Sequence, residues 1–180
     1  MKILKWIGLT TMALILILVG YLAYLGMFNP LTVTMQEMGP YTIAYERYVG
    51  PYQNTGPIFD KVYKELTALG ITTTNGIGIY YDNPQNTPSY KLRSDCGVIM
   101  AKKDLSKLKG NLKVQEIKKS LCVVTEFPIK NMLSYMIGPM KAYPALSGFA
   151  NKGKLNFSGP MFEIYNMQKD VIMYVAPVKK

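Results

Sequence analysis

A chain of 180 residues without a single histidine offers few starting points for catalysis. Serine–histidine–aspartate and cysteine–histidine arrangements are excluded, and with them most zinc sites. Two carboxylates stand on strand-like stretches instead: Glu126 in SLCVVTEF and Glu163 in PMFEIYNM. On an extended strand residues i and i+2 share a face. Met161, Glu163, Tyr165 and Met167 therefore look one way, and Phe162 and Ile164 the other. The Phe162/Ile164 side suits a helix-packed core, which leaves Glu163 facing the opposite space. An unpaired carboxylate in partly dry surroundings attracts a cation or takes up a proton, and an aromatic wall beside it adds cation–π attraction. Glu126 and Glu163 together are the types needed for the acid/base pair of a small hydrolase. The plainer reading is two unrelated strand carboxylates, so no catalytic residue is assigned.

The other candidate features carry less chemistry. The segment IYYDNPQNTP (79–88) has turn residues in Asp82-Asn83-Pro84, whose side chains bond nearby backbone while the proline sets φ. It lacks the spaced oxygen ligands of a calcium loop, and reads as a shaped lip after a strand. Cys96 and Cys122 sit in apolar runs and read as buried free thiols, although an exported domain would allow a disulfide. The run KKDLSKLKGNLKVQEIKK (102–119) has no interleaved aromatics, so a base-stacking surface is unsupported and a solvated connector is the simpler reading. No nucleic-acid partner, cofactor or metal is expected.

The elements that must position these residues follow from patterning. Trp6 to Phe28 is 23 residues without a charge, long enough to cross a bilayer as a helix. It is too long, and too bulky at its end, for a cleaved signal peptide. Lys2 and Lys5 precede it and the next basic residue is Arg47, so the positive-inside rule puts residues 1–5 in the cytoplasm and the domain, 29–180, on the other side. In a bacterium that is the outer side of the inner membrane. Beyond the span 19 Lys+Arg stand against 11 Asp+Glu.

Strand patterns then cover 31–38 and 41–49. A helix follows from Pro57 to Gly70, with apolar residues at 58, 62, 66 and 69, and further strands at 76–81 and 96–102. The order recurs with strands at 114–127, a helical stretch around MKAYPALSGFA (140–150), and strands at 160–167 and 171–178. Pro139 and Pro144 lead us to expect a short second helix beginning near one of them. GIYY lines up with EIYN, and the VIM at 98–100 with the VIM at 171–173. The chain thus reads as two strand-helix-strand-strand modules, about 31–102 and 111–178, forming an α+β domain with antiparallel sheet.

This order, with YVGPY after the first strand, IYYDNP, YPAL and PMFEIY at these separations, resembles the GyrI-like small-molecule-binding domains, which include effector-binding domains of bacterial regulators. The resemblance implies a cleft between the modules, entered by a glutamate that meets cationic or polar ligands. Glu163 holds that position and Tyr165 the aromatic one two residues on; Tyr45, Tyr48, Tyr52 and Tyr80 are candidates to line the same cleft. A helix-turn-helix region is missing, which argues against a transcription factor. The expected function is a membrane-anchored module that binds a small organic, cationic or aromatic molecule. The alternatives are a protein-binding adaptor with a vestigial cleft and, less favoured, the hydrolase.

Overall fold

The computed structural model describes residues 2–108, 110 and 112–179. A long apolar helix, α1 (Lys2–Tyr24), leads into β1 (Val33–Met38), β2 (Tyr41–Val49), α2 (Gly56–Ala68), β3 (Asn75–Tyr80) and β4 (Arg93–Met100). The second half repeats this order. It consists of β5 (Lys113–Ile117), β6 (Ser120–Pro128), α3 (Ser134–Lys152), a two-residue β7 (Asn156–Phe157), β8 (Met161–Asn166) and β9 (Val171–Lys179). α2 buries Val62 and Leu66, and Gly70 just past its end has a φ of 67° that a side chain would disfavour.

Eight strands pair antiparallel in the order β1-β6-β9-β8-β3-β4-β2-β5, with β7 against β9. The order is that of two equivalent halves meeting at the β3·β8 pair. Each half lends its first strand to the other: β1 lies on β6 and β5 on β2. The sheet is curled, and Lys119, in the loop joining β5 to β6, reaches Glu37 of β1 at 2.6 Å.

Three cores result. α3 packs on β6 and β9 through Ile137, Ala142 and Leu146 against Val123, Phe127 and Tyr174. α2 packs on β2 and β4 through Val62 and Leu66 against Ala44 and Val98. The third is built from strands alone, with Ile43, Ile77, Ile79, Val124, Phe162, Ile164 and Val175 filling the inside of the curl.

This third core corrects one expectation. Phe162 and Ile164 do not face the helices; the curled sheet packs them against itself. Glu163 is therefore on the helix side, between α2 and α3. A second correction concerns α3, which starts at Ser134 and runs through Pro139 and Pro144 without ending at either. Burial of its inner stripe against β6 and β9 outweighs the local cost of the prolines. The two VIM segments are also not equivalent. Gly78 pairs with Cys96 and Glu163 with Tyr174, so Val98 matches Ala176, five positions from the sequence match, because the loops before β4 and β9 differ in length.

The start of the domain merges with α1. Leu25 is fully buried in the α3 core, with Leu22 and Met27 packed beside it. Lys130 donates to the Tyr24 carbonyl at 2.6 Å, and Lys141 donates to the carbonyls of Gly26 and Asn29. Cations thus satisfy the helix end where its dipole favours them.

Candidate ligand-binding site

The alternation GIGI in β3 places Gly76 and Gly78 on the helix side, opposite Tyr165 and Glu163 of β8. With no side chains there, the floor between the two helices is bare backbone. A Cβ on Gly78 would stand 2.8 Å from the Tyr80 hydroxyl, and one on Gly76 would be 3.2 Å from that of Tyr63. The glycines thus let aromatic rings fold over the centre of the sheet.

Glu163 stands on this floor with only 5% of its surface exposed. Tyr143 of α3 donates to one carboxylate oxygen at 2.5 Å and Tyr165 to the other at 2.6 Å. The Tyr165 and Tyr80 hydroxyls are 2.9 Å apart; with the Tyr165 hydrogen committed to the carboxylate, Tyr80 is the donor. Burial pushes the Glu163 carboxyl above its ordinary value, and the two tyrosine donors pull it partly back. Burial, followed by the charge of Glu163, holds the hydroxyls of Tyr80, Tyr143 and Tyr165 far above the ordinary tyrosine range. All three remain donors at neutral pH. Among the described residues no lysine or arginine pairs with this carboxylate.

An aromatic wall surrounds the pair. Phe59 of α2 meets the Tyr165 ring edge-on at 5.3 Å, Tyr135 of α3 lies 5.9 Å from it, and Tyr52 sits edge-on to Tyr80 at 4.8 Å. The Tyr63 hydroxyl of α2 is buried without a partner.

Of the residues singled out by sequence, Glu163, Tyr165, Tyr80 and Tyr52 come together. Tyr48 lies on the helix-facing side of β2 but folds back over Gly50. Tyr45 points into the strand-only core on the other face, since it alternates with Ala44 beneath α2. Glu126 shares its face with Cys122 and Val124 of that same core, so the sheet separates it from Glu163 and the two carboxylates do not converge. Cys96 and Cys122 are both buried and free.

Sequence reading missed Tyr143, Tyr63, Phe59 and Tyr135. Their helical spacing, Phe59/Tyr63 and Tyr135/Tyr143, was a usable signal, as was the glycine alternation in β3. The IYYDNP lip is held from three sides. Tyr52 donates to the Asp82 carbonyl at 2.9 Å, the Asp82 carboxylate accepts two guanidinium bonds from Arg93, and Asn83 accepts from the Gln85 amide at 2.9 Å.

A curled sheet of paired modules with a helix on each has known counterparts. Residues 31–132 match the model of the GyrI-like small molecule binding domain. The chain belongs to that family. Among curated proteins, human testis-expressed protein 264 is 29% identical over 185 residues, covering 97% of this chain and 56% of that protein. The mouse homolog is 28% identical, covering 89% and 53%. The chain thus spans about half the length of the curated relatives it matches.

Solved structures extend the likeness over both modules. The C-terminal domain of EcmrR superposes with a TM-score of 0.63 at 15% identity, covering 83% of this chain and 98% of that one. The structure of SAV2435 bound to tetraphenylphosphonium gives 0.56 at 14% identity, covering 82% and 94%. These GyrI-like neighbours share the mixed α+β architecture, a curled antiparallel sheet with a helix on each module.

Proposed function

We propose that this GyrI-like domain is a membrane-tethered receptor for a small organic cation, held over Glu163. The observation that carries the reading is a buried carboxylate with no cationic partner among the described residues, enclosed by tyrosines. A flat or bulky cation would supply the missing charge while the rings of Tyr165, Tyr80, Phe59 and Tyr135 face it. The unpartnered Tyr63 hydroxyl offers a further hydrogen bond. Because Tyr143, Tyr165 and Tyr80 leave Glu163 only 5% exposed, entry requires one of these side chains to swing aside. SAV2435 bound to tetraphenylphosphonium has this fold, which makes that cation a rational probe.

The tether is α1. Its stretch Trp6–Tyr24 carries no charged residue and belongs to a helix long and apolar enough to span, and Lys2 and Lys5 before that stretch favour a domain on the non-cytoplasmic side.

The test is calorimetric titration of the full chain, in detergent micelles, with tetraphenylphosphonium and with neutral triphenylphosphine oxide. The expected outcome is binding of the cation, at least tenfold preference over the neutral compound (about 1.4 kcal/mol), and loss of that preference in Glu163→Gln. Equal affinity for both compounds, or an unchanged preference in the variant, would sink the reading. Cysteine-accessibility mapping from either side of the membrane tests the topology.

A second reading is favoured by one observation. The cleft is filled by its own side chains, and two cavities of the structure lie elsewhere. One, about 520 Å³, lies among Asn29, Thr32, Gln36 and Glu126; the other, about 160 Å³, is beside Tyr81 and Phe162. A domain that kept the fold but used its surface as a protein adaptor would look like this. Failure of every cation to bind a folded chain would favour it.

A further inference from the structure

The N-terminal tip of α3 and the loop before it have a surface that a soluble domain would not keep. From Asn131 to Met140 there is no charged residue, between Lys130 and Lys141. Met132, Met136 and Met140 follow one another at helical spacing and are 78%, 61% and 69% exposed, with Leu133 exposed beside them. An apolar stripe of this kind marks an interaction surface.

Its position decides the partner. Asn131 donates its side-chain amide to the Tyr21 hydroxyl at 2.7 Å, and Lys130 both bonds the Tyr24 carbonyl and lies 4.2 Å from the Tyr24 ring centre. Lys141, ten residues along, bonds Gly26 and Asn29. Moving back along α3 from Lys141 to Asn131 is therefore moving up α1 toward its apolar stretch. Crossing the hydrocarbon takes about 20 residues, and counting from Trp6, just after Lys5, that length is used up near Leu25. Leu25 is already inside the domain core. The anchor has no slack, and the level of Tyr21 lies about one helical turn, roughly 5 Å, within the apolar layer.

We infer that the tip of α3, led by Met132, Leu133 and Met136, is inserted into the membrane interface beside α1. The occupant of this apolar face is then the lipid bilayer itself, continuous with the lipid around the anchor. Lys130 and Lys141 stand where they meet lipid headgroups, and Tyr21 and Tyr24 form the aromatic belt common at this depth. The inference rests on reading α1 as a membrane span. Its consequence for the ligand site is direct, because Tyr135 and Tyr143 are on the same helix: the cleft wall that must move for entry is seated on the bilayer, so a lipophilic cation dissolved in the interface meets it without crossing bulk water.

Tryptophan quenching in vesicles separates the two ideas. Trp6 is the only tryptophan, so the parent chain reports on α1 alone. The full chain is reconstituted into phosphatidylcholine/phosphatidylglycerol vesicles whose phosphatidylcholine is brominated near the top of one acyl chain. Trp6 should be quenched. Trp6→Phe/Met132→Trp should show at least half the fractional quenching of Trp6, with blue-shifted emission. Trp6→Phe/Tyr90→Trp, reporting from the exposed loop at the opposite end of the strands, should show almost none. Quenched Trp6 with Met132→Trp no better quenched than Tyr90→Trp overturns the insertion while keeping the span, and leaves the methionines to a protein partner. Unquenched Trp6 overturns both.

Discussion

Gly78 and Glu163 hold the same place in the two modules and are register partners across the central strand pair. Tyr80 and Tyr165 are likewise equivalent, and their hydroxyls meet over the axis relating the halves. The symmetric parts make a frame of two helices, two inward tyrosines and a shared sheet. The asymmetric pair makes the proposed site. The first module supplies a floor with no side chain and the second supplies one carboxylate. Two glutamates there would repel each other in a dry cleft, and two glycines would offer no charge to a ligand. The same asymmetry appears one strand out. Where the first module places Asp95, bonded twice by Arg47 and once by Tyr81, the second places Met173. Where the first places Gly97, the second places Val175.

The largest expected effect comes from erasing that last difference. A Cβ on Gly97 would lie 2.1 Å from the Ala44 carbonyl oxygen and 2.7 Å from the Tyr45 Cα, so Gly97→Ala must distort the sheet backbone. It should cost about 3 kcal/mol or more. Val175→Ala, at the equivalent place, should cost only about 1–3 kcal/mol through lost packing. Paired urea melts of the full chain read both, and similar values would mean that the two positions are not differently constrained.

Next is the ion pair. Asp95 is wholly buried, whereas the Arg47 side chain is 46% exposed. Arg47→Ala leaves an uncompensated buried carboxylate and should destabilise by about 2–4 kcal/mol. Arg47→Leu with Asp95→Met, the second change copying Met173 of the second module, should recover most of that loss. If the double variant melts as low as the single one, the ion pair is doing something that apolar packing cannot replace. The Tyr81 hydroxyl, pushed up to about 12 chiefly by burial and then by Asp95, keeps its proton throughout the usual pH range.

A smaller effect is expected from Gly78→Ala. The added methyl meets the far end of Tyr80 rather than backbone, so stability should fall by about 1 kcal/mol while cation binding weakens more sharply. Unchanged binding would place the ligand elsewhere than over this floor.

The mildest change is Glu163→Gln. Because burial raises the Glu163 pKa in the folded chain, the native state holds this proton to higher pH than the unfolded state does. Stability therefore falls as pH rises from the unfolded carboxylate value through the folded one. Glu163→Gln should accordingly raise the melting temperature by a few degrees at neutral pH, about 1 kcal/mol. The gain should vanish below the ordinary glutamate range, where both states are protonated. A variant that melts lower at neutral pH would show that the tyrosine bonds outweigh the burial of charge.

Much of this architecture was legible before any coordinates. Val62 and Leu66 announced α2 by their spacing, Gly70 marked its end, and the recurrence of GIYY as EIYN disclosed the modules because their strands carry the same two-residue alternation. Glu163, Tyr165 and Tyr80 were readable as partners through that repeat. Tyr143 was not, since it lies in a helix whose prolines argued for a later start. Tyr45 looked equivalent to the other tyrosines because composition does not say which face of a curled sheet is covered.

The sequence by itself determined the apolar N-terminal helix, the two modules, the α+β class and the lack of histidine chemistry. These depend on local periodicity and residue type, which a chain displays without being folded. Only the tertiary structure decided that the far face of the sheet packs on itself, that Glu163 lies beneath the helices rather than away from them, and that Glu126 is on the wrong side to join it. Such outcomes depend on sheet curl, strand exchange and loop length. They bring together residues about eighty positions apart, and no local pattern encodes the distance between them.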